Sequence, residues 1–306
     1  MLLDDLPDWL PRWCMERLGG EPVAVLFERC SVSAVFGVRL DDGREVVVKA
    51  REDDGRAASC LAAQTRLAER GFPCALPLTP AVGVGALAVH AEEYRPGGEL
   101  LGGDSPEVAV RYARVFARLM DELGGVTVAP PLPNPRWARW DHTDSGLWPS
   151  IGFLDERDQS GVPAYVVDTA ERARERMLAA DLPCVLGHAD FEAQNLRWRS
   201  GAVWVVHDWD SLAWQPEAAL VGAACGAFAS DSPPTLAPIE SSAAFLTAYQ
   251  QARGRRFTVA EREIAWAASL WPAAHNARWE ALHGDPPVCS AALRAQAAER
   301  LRRANA

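Results

Sequence analysis

The sequence predicts an α+β protein in two parts, a small β-sheet part with one helix at residues 1–95 and a larger, mostly helical part at 96–306. Three observations predict this class. At roughly 150 residues per domain, a chain of 306 residues is long enough for two domains or two lobes of one enzyme. Short apolar runs rich in Val and Phe fill the first part. Beyond the helix-breaking segment Pro96–Gly98, apolar residues repeat at helical spacing instead.

The elements of the first part follow from its turn residues. A helical pattern at 6–18 ends at a pair of glycines, and Asp42-Gly43 is typical of a hairpin turn between two strands. A second helical pattern, at 56–70, ends at Gly71. The predicted strands are Val23–Phe27, Ala34–Leu40, Glu45–Ala50 and a further pair at Val82–Val89 and Glu92–Tyr94.

The second part combines helices with one predicted hairpin. Residues 126–163 are rich in Pro, Trp and Gly, which indicates irregular connections with short helices. The strands Leu196–Arg199 and Val203–His207 are joined by the turn pair Ser200-Gly201. The predicted helices cover 108–123, 168–180, 239–252 and 260–282.

The charge balance excludes some classes of function. The chain has 31 basic and 41 acidic residues, a net charge of −10, which argues against general binding to nucleic acid and suits a cationic small-molecule acceptor. The longest apolar stretch, Ala81–Val89, is far shorter than the roughly 20 residues that span a bilayer. Because the chain starts with acidic residues where a signal peptide would be basic, we expect a cytoplasmic protein without a membrane partner. No motif in the sequence indicates the oligomeric state.

One basic residue differs from all the others. Of the 31 basic residues 30 are Arg, and the single lysine is Lys49, in the strand EVVVKA. Arginine can replace lysine wherever diffuse surface charge suffices, so a retained lysine indicates a place that needs a compact ammonium group. Chance retention is the weaker interpretation, because Lys49 lies in a predicted strand and not in a loop.

Three oxygen-bearing side chains are predicted to meet at one end of the hairpin. Asp190 and Asn195 precede its first strand in LGHADFEAQNL, and Asp208 follows its second strand in VWVVHDWD. Two carboxylates so close together repel each other unless a cation lies between them, and oxygen ligands of this kind suit Mg²⁺. A carboxylate beside such a metal can accept a proton from an attacking hydroxyl group.

These motifs resemble those of the aminoglycoside phosphotransferase-like kinases, which are small-molecule kinases with the two-lobed protein-kinase fold. His188, Asp190 and Asn195 match the family's H-x-D-x-x-x-x-N motif, and the segment around Asp208 looks like its I-D-W segment. The resemblance covers most of residues 20–225. It implies a two-lobed protein-kinase-like fold and transfer of the γ-phosphate of ATP or GTP, with Mg²⁺, to a hydroxyl group of a small molecule.

The resemblance also implies a role for each matching residue. Asp190 would be the catalytic carboxylate, and Asn195 and Asp208 would bind Mg²⁺. His188 would support the catalytic loop through hydrogen bonds. Ser31 and Ser33 would lie near the phosphates, although turn residues are an equally good interpretation of both. The implied nucleotide-binding residues are Lys49, which would hold the α- and β-phosphates, Ser31 and Ser33 of the nucleotide loop, and Glu93, Tyr94 and Arg95 of the hinge.

The sequence departs from the family at the partner of Lys49. The helix at 56–70 should offer a glutamate, but one of its inward positions holds Gln64. Gln64 could bind the ammonium group more weakly than a carboxylate would, or Glu52 or Glu69 could reach it.

The acceptor site is expected among the last helices, where tryptophans recur at helical spacing in WPAAHNARWE. Core packing is the default explanation of such a stripe. This family, however, builds its acceptor pocket from helices that follow the metal motif, and an aromatic wall with a carboxylate would hold a polar or cationic molecule. Asp210, Trp271 and Glu280 are therefore predicted acceptor contacts.

Other functions stay open at this point. An aminoglycoside or a related antibiotic is one candidate acceptor, and an amino sugar or a choline-like alcohol is equally available to this fold. A nucleotide-binding regulator without turnover is supported only by the missing helix glutamate. A metal-dependent phosphohydrolase would leave Lys49 and Asn195 unexplained. The ligands of such a hydrolase would be His188, Asp190, His207 and Asp208.

Overall fold

Two compact units make up the chain, whose computed structural model describes residues 6–30, 33–128 and 134–306. The first unit is rich in β-strand and the second is mostly helical, so the predicted α+β class is confirmed. The first unit comprises the described residues of Met1–Gly98, Thr127–Pro130 and Trp204–Asp210, and the second comprises those of Glu99–Val126, Pro131–Val203 and Ser211–Ala306.

The first unit is built around a five-stranded antiparallel sheet. Its elements are α1 (Trp9–Leu18), β1 (Pro22–Cys30), β2 (Ala34–Leu40), β3 (Glu45–Glu52), α2 (Ala57–Glu69), β4 (Val82–Val84) and β5 (Leu87–Glu93). The strands lie in the order β1-β2-β3-β5-β4, and each neighbouring pair is antiparallel. Strand β3 therefore has β5 as one of its neighbours.

The two faces of this sheet differ chemically. On one face, Val46 and Val48 of β3 belong to an apolar core that also contains Leu10 and Trp13 of α1. Successive residues of a strand point to opposite faces, so the residues that alternate with this core lie on the other face. The second face carries the polar side chains Lys49 and Arg51 of β3 and His90 and Glu92 of β5.

The last two strands of the sheet correct a prediction. The sequence placed the break between them after Val89, whereas the chain turns earlier, at Gly85. Gly85 has a φ of 59°, a conformation that costs glycine little and lets the chain turn tightly. His90 pairs with Lys49 of β3, so the residues that the prediction left outside a strand belong to β5.

The boundary of the first unit also differs from the prediction. The predicted division follows residue 95, whereas the unit runs to Gly98 and includes Trp204–Asp210. The reason is a tertiary backbone contact, in which the N–H of Val206 donates to the carbonyl of Pro73 at 2.8 Å. The predicted boundary divides the chain into two continuous segments, and it therefore places Pro73 and Val206 in different parts although they are hydrogen-bonded.

The second unit contains most of the helices. Strand β6 pairs antiparallel with β9, and β7 pairs with β8. No helix in the described ranges of the chain is long and apolar enough to cross a membrane. In chain order the remaining elements are α3 (Pro106–Gly124), α4 (Gly152–Asp155), α5 (Ala164–Leu178), β6 (Cys184–His188), β7 (Leu196–Arg199), β8 (Ala202–Val206, which ends in the first unit), β9 (Leu212–Pro216), α6 (Glu217–Ala227), α7 (Ile239–Ala252), α8 (Val259–Ala268), α9 (Trp271–His283) and α10 (Val288–Ala304).

The last helices differ from their prediction. The single helix expected over 260–282 is two helices, α8 and α9, which are separated at residues 269–270. Pro272 lies in the first turn of α9, where its missing N–H costs nothing, but the same residue inside a continuous helix would break it. Helix α6 was not predicted because it is buried on almost every side and so lacks an amphipathic pattern.

Aromatic side chains form the centre of the second unit. Phe116 of α3 packs against Tyr249 of α7, with 5.9 Å between ring centroids. On its other side Phe116 packs against Phe191 at 4.8 Å. Phe191 follows β6 in a loop, and its buried ring therefore anchors that loop to the helical core.

Helices α6 and α8 approach each other closely at Gly222, where a Cβ atom would lie 2.2 Å from the backbone oxygen of Ala265. We expect Gly222→Ala to lower the free energy of unfolding by about 1–3 kcal/mol, because a clash with backbone is not relieved by rotating a side chain. Thermal unfolding measures the change. Gly124→Ala is the matched control, since a Cβ atom there meets nothing within 4 Å. Equal destabilisation by both substitutions would contradict the steric explanation.

Candidate active site

Lys49 is held by a carboxylate from the neighbouring strand. Its Nζ lies 2.8 Å from Oε1 of Glu92, and the two side chains are only 12% and 4% exposed. The register places Val47 opposite Glu92, so Glu92 and Lys49 are diagonal neighbours on one face of the sheet. Gln64 of α2 donates from Nε2 to Oε2 of Glu92 at 2.8 Å. The carboxylate is therefore fixed between an ammonium group and an amide.

The charges of this pair are stabilised mutually. Burial alone would lower the pKa of Lys49, but the carboxylates of Glu92, Asp210 and Asp208 outweigh burial and raise this pKa above its ordinary value. Burial would raise the pKa of Glu92, whereas the ammonium group of Lys49 lowers it, and the net result is a lowered pKa. Both groups are therefore charged at neutral pH.

Glu92 is the partner that sequence reasoning missed. Gln64 contacts the carboxylate of Glu92, whereas the sequence analysis considered Gln64 as a partner of the Lys49 ammonium group. Glu52 and Glu69, the other predicted partners, have exposed side chains. A signal was present in β5, where His90 and Glu92 are polar residues at alternate positions of an otherwise apolar strand. Such a pattern indicates a polar face turned toward the protein interior.

Asp210, a predicted acceptor contact, has polar groups that are engaged inside the first unit. Its Oδ1 lies 3.4 Å from Nη1 of Arg51, and its backbone carbonyl accepts a hydrogen bond from Nη1 of Arg56 at 3.0 Å. Both arginines are buried. Asp210 therefore holds its segment against the sheet through two guanidinium groups, and its role as an acceptor contact stays a prediction.

Asp208 lies in the same segment in an unusual backbone conformation. Its φ is 59°, in the left-handed region that aspartate adopts more readily than most residues. Residues held in such conformations concentrate at functional sites, where the surrounding structure determines their direction. Its carboxylate contributes to the raised pKa of Lys49, so the two charges lie in one region of the first unit.

The predicted hinge, Glu93–Arg95, follows the end of β5. Glu93 is the last residue of that strand, and the ring of Tyr94 lies 5.6 Å from the ring of Phe27. Arg95 donates from Nη1 to the carbonyl of Cys74 at 2.7 Å. These contacts fix the segment to the first unit. Its binding of the nucleotide stays a prediction.

The predicted phosphate contacts are only partly described. Ser33 is half-buried and directly precedes β2. Ser31 lies outside the described residues. Contact of both serines with nucleotide phosphates therefore stays a prediction.

The second unit carries the predicted catalytic loop after β6. Nδ1 of His188 accepts a hydrogen bond from the backbone N–H of Asp190 at 3.2 Å, which places the ring proton on Nε2. Asn195 donates from Nδ2 to the carbonyl oxygen of Asp190 at 2.9 Å and to its Oδ2 at 3.0 Å. Asp190 is therefore held through both its backbone and its carboxylate. Because its nitrogen is used in this way, Asn195 offers its amide oxygen as the atom that could bind a cation.

Asp190 lines a pocket within the second unit. The pocket has a volume of about 520 Å³, including the mouth that is open to solvent. Its walls come from the catalytic loop, β9, α6, α8, α9 and a short 3-10 helix at Arg136–Ala138. Trp271, a predicted acceptor contact, lies in this wall together with Trp137 and Trp140.

The wall formed by the tryptophans is fixed by hydrogen bonds. Arg174 of α5 donates to the carbonyl oxygens of Trp140 and His142, each at 2.7 Å. Gln215 of β9 donates from Nε2 to the carbonyl of Ala138 at 2.9 Å. The pocket is therefore formed before any ligand binds, as is usual for small-molecule sites.

Glu280, the third predicted acceptor contact, has a carboxylate that stabilises the start of α10. Its two oxygens accept hydrogen bonds from the backbone N–H groups of Cys289 at 2.6 Å and Ser290 at 2.9 Å. A carboxylate at this end of a helix satisfies N–H groups that have no partner in the helix and interacts well with the helix dipole. Glu280 is buried and is not among the residues that line the pocket.

The predicted metal ligands have suitable chemistry, because carboxylate and amide oxygens are the ligands that Mg²⁺ prefers. Asp208 belongs to the first unit and Asn195 to the second, so their convergence on one cation stays a prediction. Within the described ranges, no group of three or more His, Cys, Asp or Glu side chains is arranged to hold a metal ion.

Comparison with known proteins identifies a family. Residues 31–255 match the APH phosphotransferase enzyme family. No curated protein matches the chain. The matched range includes Lys49, the catalytic loop and Asp208, but it ends before α8 and α9, which contribute to the pocket wall.

Solved structures with the same fold are kinases of small molecules. An amicoumacin kinase bound to AMP-PNP and Ca²⁺ has a TM-score of 0.64 at 13% identity, covering 93% of this chain and 89% of that one. A microcompartment-associated aminopropanol kinase has a TM-score of 0.62 at 14% identity, covering 92% and 89%. An aminoglycoside phosphotransferase bound to ADP and hygromycin B has a TM-score of 0.54 at 14% identity, covering 97% and 96%. The predicted protein-kinase-like fold is therefore confirmed.

Proposed function

The chain belongs to the APH phosphotransferase enzyme family and is an ATP-dependent small-molecule phosphotransferase, and from this premise we propose that it transfers the γ-phosphate of ATP, with Mg²⁺, to a hydroxyl group. The observation that carries the proposal is the environment of Asp190. Its carboxylate lies in the wall of a preformed pocket and is fixed there by Asn195, while its backbone is fixed by His188. This is the arrangement that a base acting on a bound hydroxyl group needs.

The other residues of the chain supply position and charge. Asp190 accepts the proton of the acceptor hydroxyl group in this proposal, and Lys49, held by Glu92, binds the α- and β-phosphates. Asn195 and Asp208 would hold Mg²⁺, which supplies neutralisation of the phosphate charge when it is bound. Positioning and electrostatic stabilisation account for most of the catalysis in this type of transfer.

Two alternatives from other classes lose support. A phosphohydrolase would use His188 as a metal ligand, but its Nδ1 is occupied by the backbone N–H of Asp190 and its ring is buried. A regulator without turnover was favoured only by the missing helix glutamate, and Glu92 supplies a carboxylate to Lys49 from β5. The acceptor itself could be an aminoglycoside or related antibiotic, an amino sugar or a choline-like alcohol.

Thermal unfolding with nucleotide and metal tests the proposed function. We expect MgATP or MgGTP to raise the Tm, because a ligand at 100 times its Kd stabilises the folded state by about 2.7 kcal/mol. The shift should require Mg²⁺ and nucleotide together, and ADP should be released once an acceptor is supplied. Stabilisation by Zn²⁺ or Mn²⁺ alone would favour the hydrolase. Nucleotide binding without ADP release for any acceptor would favour the regulator.

A further inference from the structure

The pocket beside Asp190 is walled mainly by indole rings and small apolar groups. Besides Trp137, Trp140 and Trp271, five of its lining residues are alanines, which α6, α8 and the adjoining loops contribute. An apolar wall gains most from an apolar ligand surface, because water leaves both surfaces on binding. The wall therefore favours an acceptor with a flat or aliphatic body.

Charged groups in the lining are few and already engaged. Asp190 and Glu192 are the acidic lining residues, and no lysine or arginine is among the described residues that line the pocket. Glu192 accepts a hydrogen bond from Nε2 of Gln194 at 2.6 Å, and Asp190 accepts one from Asn195 at 3.0 Å. Because Asp190 is the proposed base for the acceptor hydroxyl group, Glu192 is the acidic lining residue that remains to pair with an ammonium group. Further ammonium groups would face the apolar wall without partners, which is costly.

His275, which lines the pocket, is uncharged at neutral pH, and its charged neighbour is the buried Arg278. Burial and the neighbouring Arg278 lower the pKa of His275 to about 4, so its ring is neutral at pH 7. Arg278 is bound to Asp155 at 2.9 Å and lies 5.3 Å from the ring centroid of Trp148. Trp148 in turn packs against Trp271 of the wall at 5.5 Å. Asp155 is thus already paired with Arg278, and this ion pair adds no free carboxylate for a second ammonium group in the pocket.

Three polar atoms of residues that line the pocket are buried and have no hydrogen-bond partner in the part of the chain that the structure describes. They are Nε1 of Trp140, Nε1 of Trp271 and Nδ1 of His275. Buried polar atoms are normally paired, so each of these atoms calls for a partner. An indole N–H can only donate, and its partner must therefore be an oxygen or another acceptor atom, never an ammonium group.

From these observations we infer that the acceptor is a compact alcohol with a largely apolar body, at most one positive charge, and a further oxygen for the indole donors. The inference rests on the proposed phosphotransferase function and names the substrate class of the same site. The inference distinguishes two candidate acceptors, a ring-sized aromatic alcohol and a polycationic aminoglycoside. The first fits the indole wall, whereas the second needs more carboxylates than Asp190 and Glu192 provide.

Calorimetry and ADP release with four probes test the inference. Salicyl alcohol is a neutral aryl alcohol with a second, phenolic oxygen, and octopamine carries one amine, whereas kanamycin and neomycin are polycations. We expect salicyl alcohol or octopamine to bind at least tenfold more tightly than either polycation and to release ADP from MgATP. Binding of neither compact alcohol, or tighter binding of a polycation, overturns the inference. Efficient phosphorylation of a polycation would also overturn the inference, but it would leave the proposed function intact. Absence of any MgATP binding would reject the proposed function itself.

A matched pair of tryptophan variants separates the pocket from general stability. Trp271→Phe keeps a ring but removes the indole N–H, and we expect it to raise the acceptor KM about three- to tenfold with an unchanged KM for ATP. Trp279→Phe is the control on the same helix, because Trp279 is 37% exposed and stacks on His283 away from the pocket lining. Equal effects of the two substitutions would overturn the assignment. If Trp271→Phe does not fold, Trp137→Ala tests the same wall from a less buried position, with a similar rise in KM expected.

Discussion

Replacing Asp190 with asparagine is expected to lower kcat by about a hundredfold or more while MgATP still raises the Tm. A positioned general base contributes about a hundredfold to ten thousandfold to a rate, and an amide of the same shape cannot accept the acceptor's proton. The backbone N–H of Asp190 still donates to His188, so the loop should keep its conformation. Steady-state ADP release and thermal unfolding with MgATP measure the two effects.

Asp168→Asn provides the matched control for this substitution. Asp168 lies on α5 with its side chain 65% exposed, and its carboxylate is 3.7 Å from Arg172 in a surface ion pair. Such pairs contribute little to stability, so both kcat and Tm should stay close to those of the unsubstituted protein. If Asp190→Asn also abolished stabilisation by MgATP, its role would be structural. If it kept full kcat, another residue would have to be the base.

Replacing Glu92 with glutamine is expected to lower kcat/KM for ATP by about tenfold to a hundredfold and to lower the Tm. Removing one partner of a buried ion pair costs about 3–5 kcal/mol in the most severe cases, because the other charge stays buried without its partner. Without Glu92, Asp210 and Asp208 are the carboxylates that still raise the pKa of Lys49, and attraction to Asp208 would compete with metal binding. Initial rates over a range of ATP concentrations, together with thermal unfolding, measure both effects.

Two further variants sharpen this test. Glu45→Gln removes a carboxylate from the start of the same strand as Lys49, but Glu45 pairs with Arg39 at the surface, so little change is expected. In the double variant Glu92→Gln/Gln64→Glu, the carboxylate and the amide exchange places and can keep their mutual hydrogen bond. We expect this exchange to restore part of kcat/KM for ATP. Full activity of Glu92→Gln alone would show that Lys49 needs no carboxylate partner.

The parts of the fold that depend on local chemistry could be predicted from the sequence. The hairpin turn at Asp42-Gly43 and the turn at Ser200-Gly201 both join strands, as expected from residues that favour tight turns. The break before α9 was missed, because a proline ends a helix at one position and starts another helix at the next, and periodicity does not distinguish the two cases. Helix α6 was missed because burial on all sides removes its periodicity.

The residues of the candidate site show the same difference between local patterns, which the sequence reveals, and tertiary contacts, which it does not. Asp190, Asn195 and His188 were found because they are close in sequence and their spacing carries the motif. Glu92 was missed because its contact with Lys49 depends on β5 lying beside β3, a tertiary arrangement that no local pattern contains.

Two predicted acceptor contacts have partners within the chain that the sequence did not indicate. Glu280 and Asp210 are carboxylates near the expected site, but the backbone of α10 and the side chain of Arg51 bind them first. Which partner a buried carboxylate finds is decided by packing between elements that are distant in sequence.

The position of Glu92 on a strand bears on how the activity could be regulated. A glutamate carried by a helix can be withdrawn when the helix moves, and the kinase is then switched off without any chemical change. Glu92 and Lys49 belong to neighbouring strands whose backbones are hydrogen-bonded to each other, so the movement of a helix does not withdraw the strand that carries Glu92. We therefore expect an enzyme that is constitutively competent on its nucleotide side. Control over its output would then lie with its synthesis and with the supply of its acceptor.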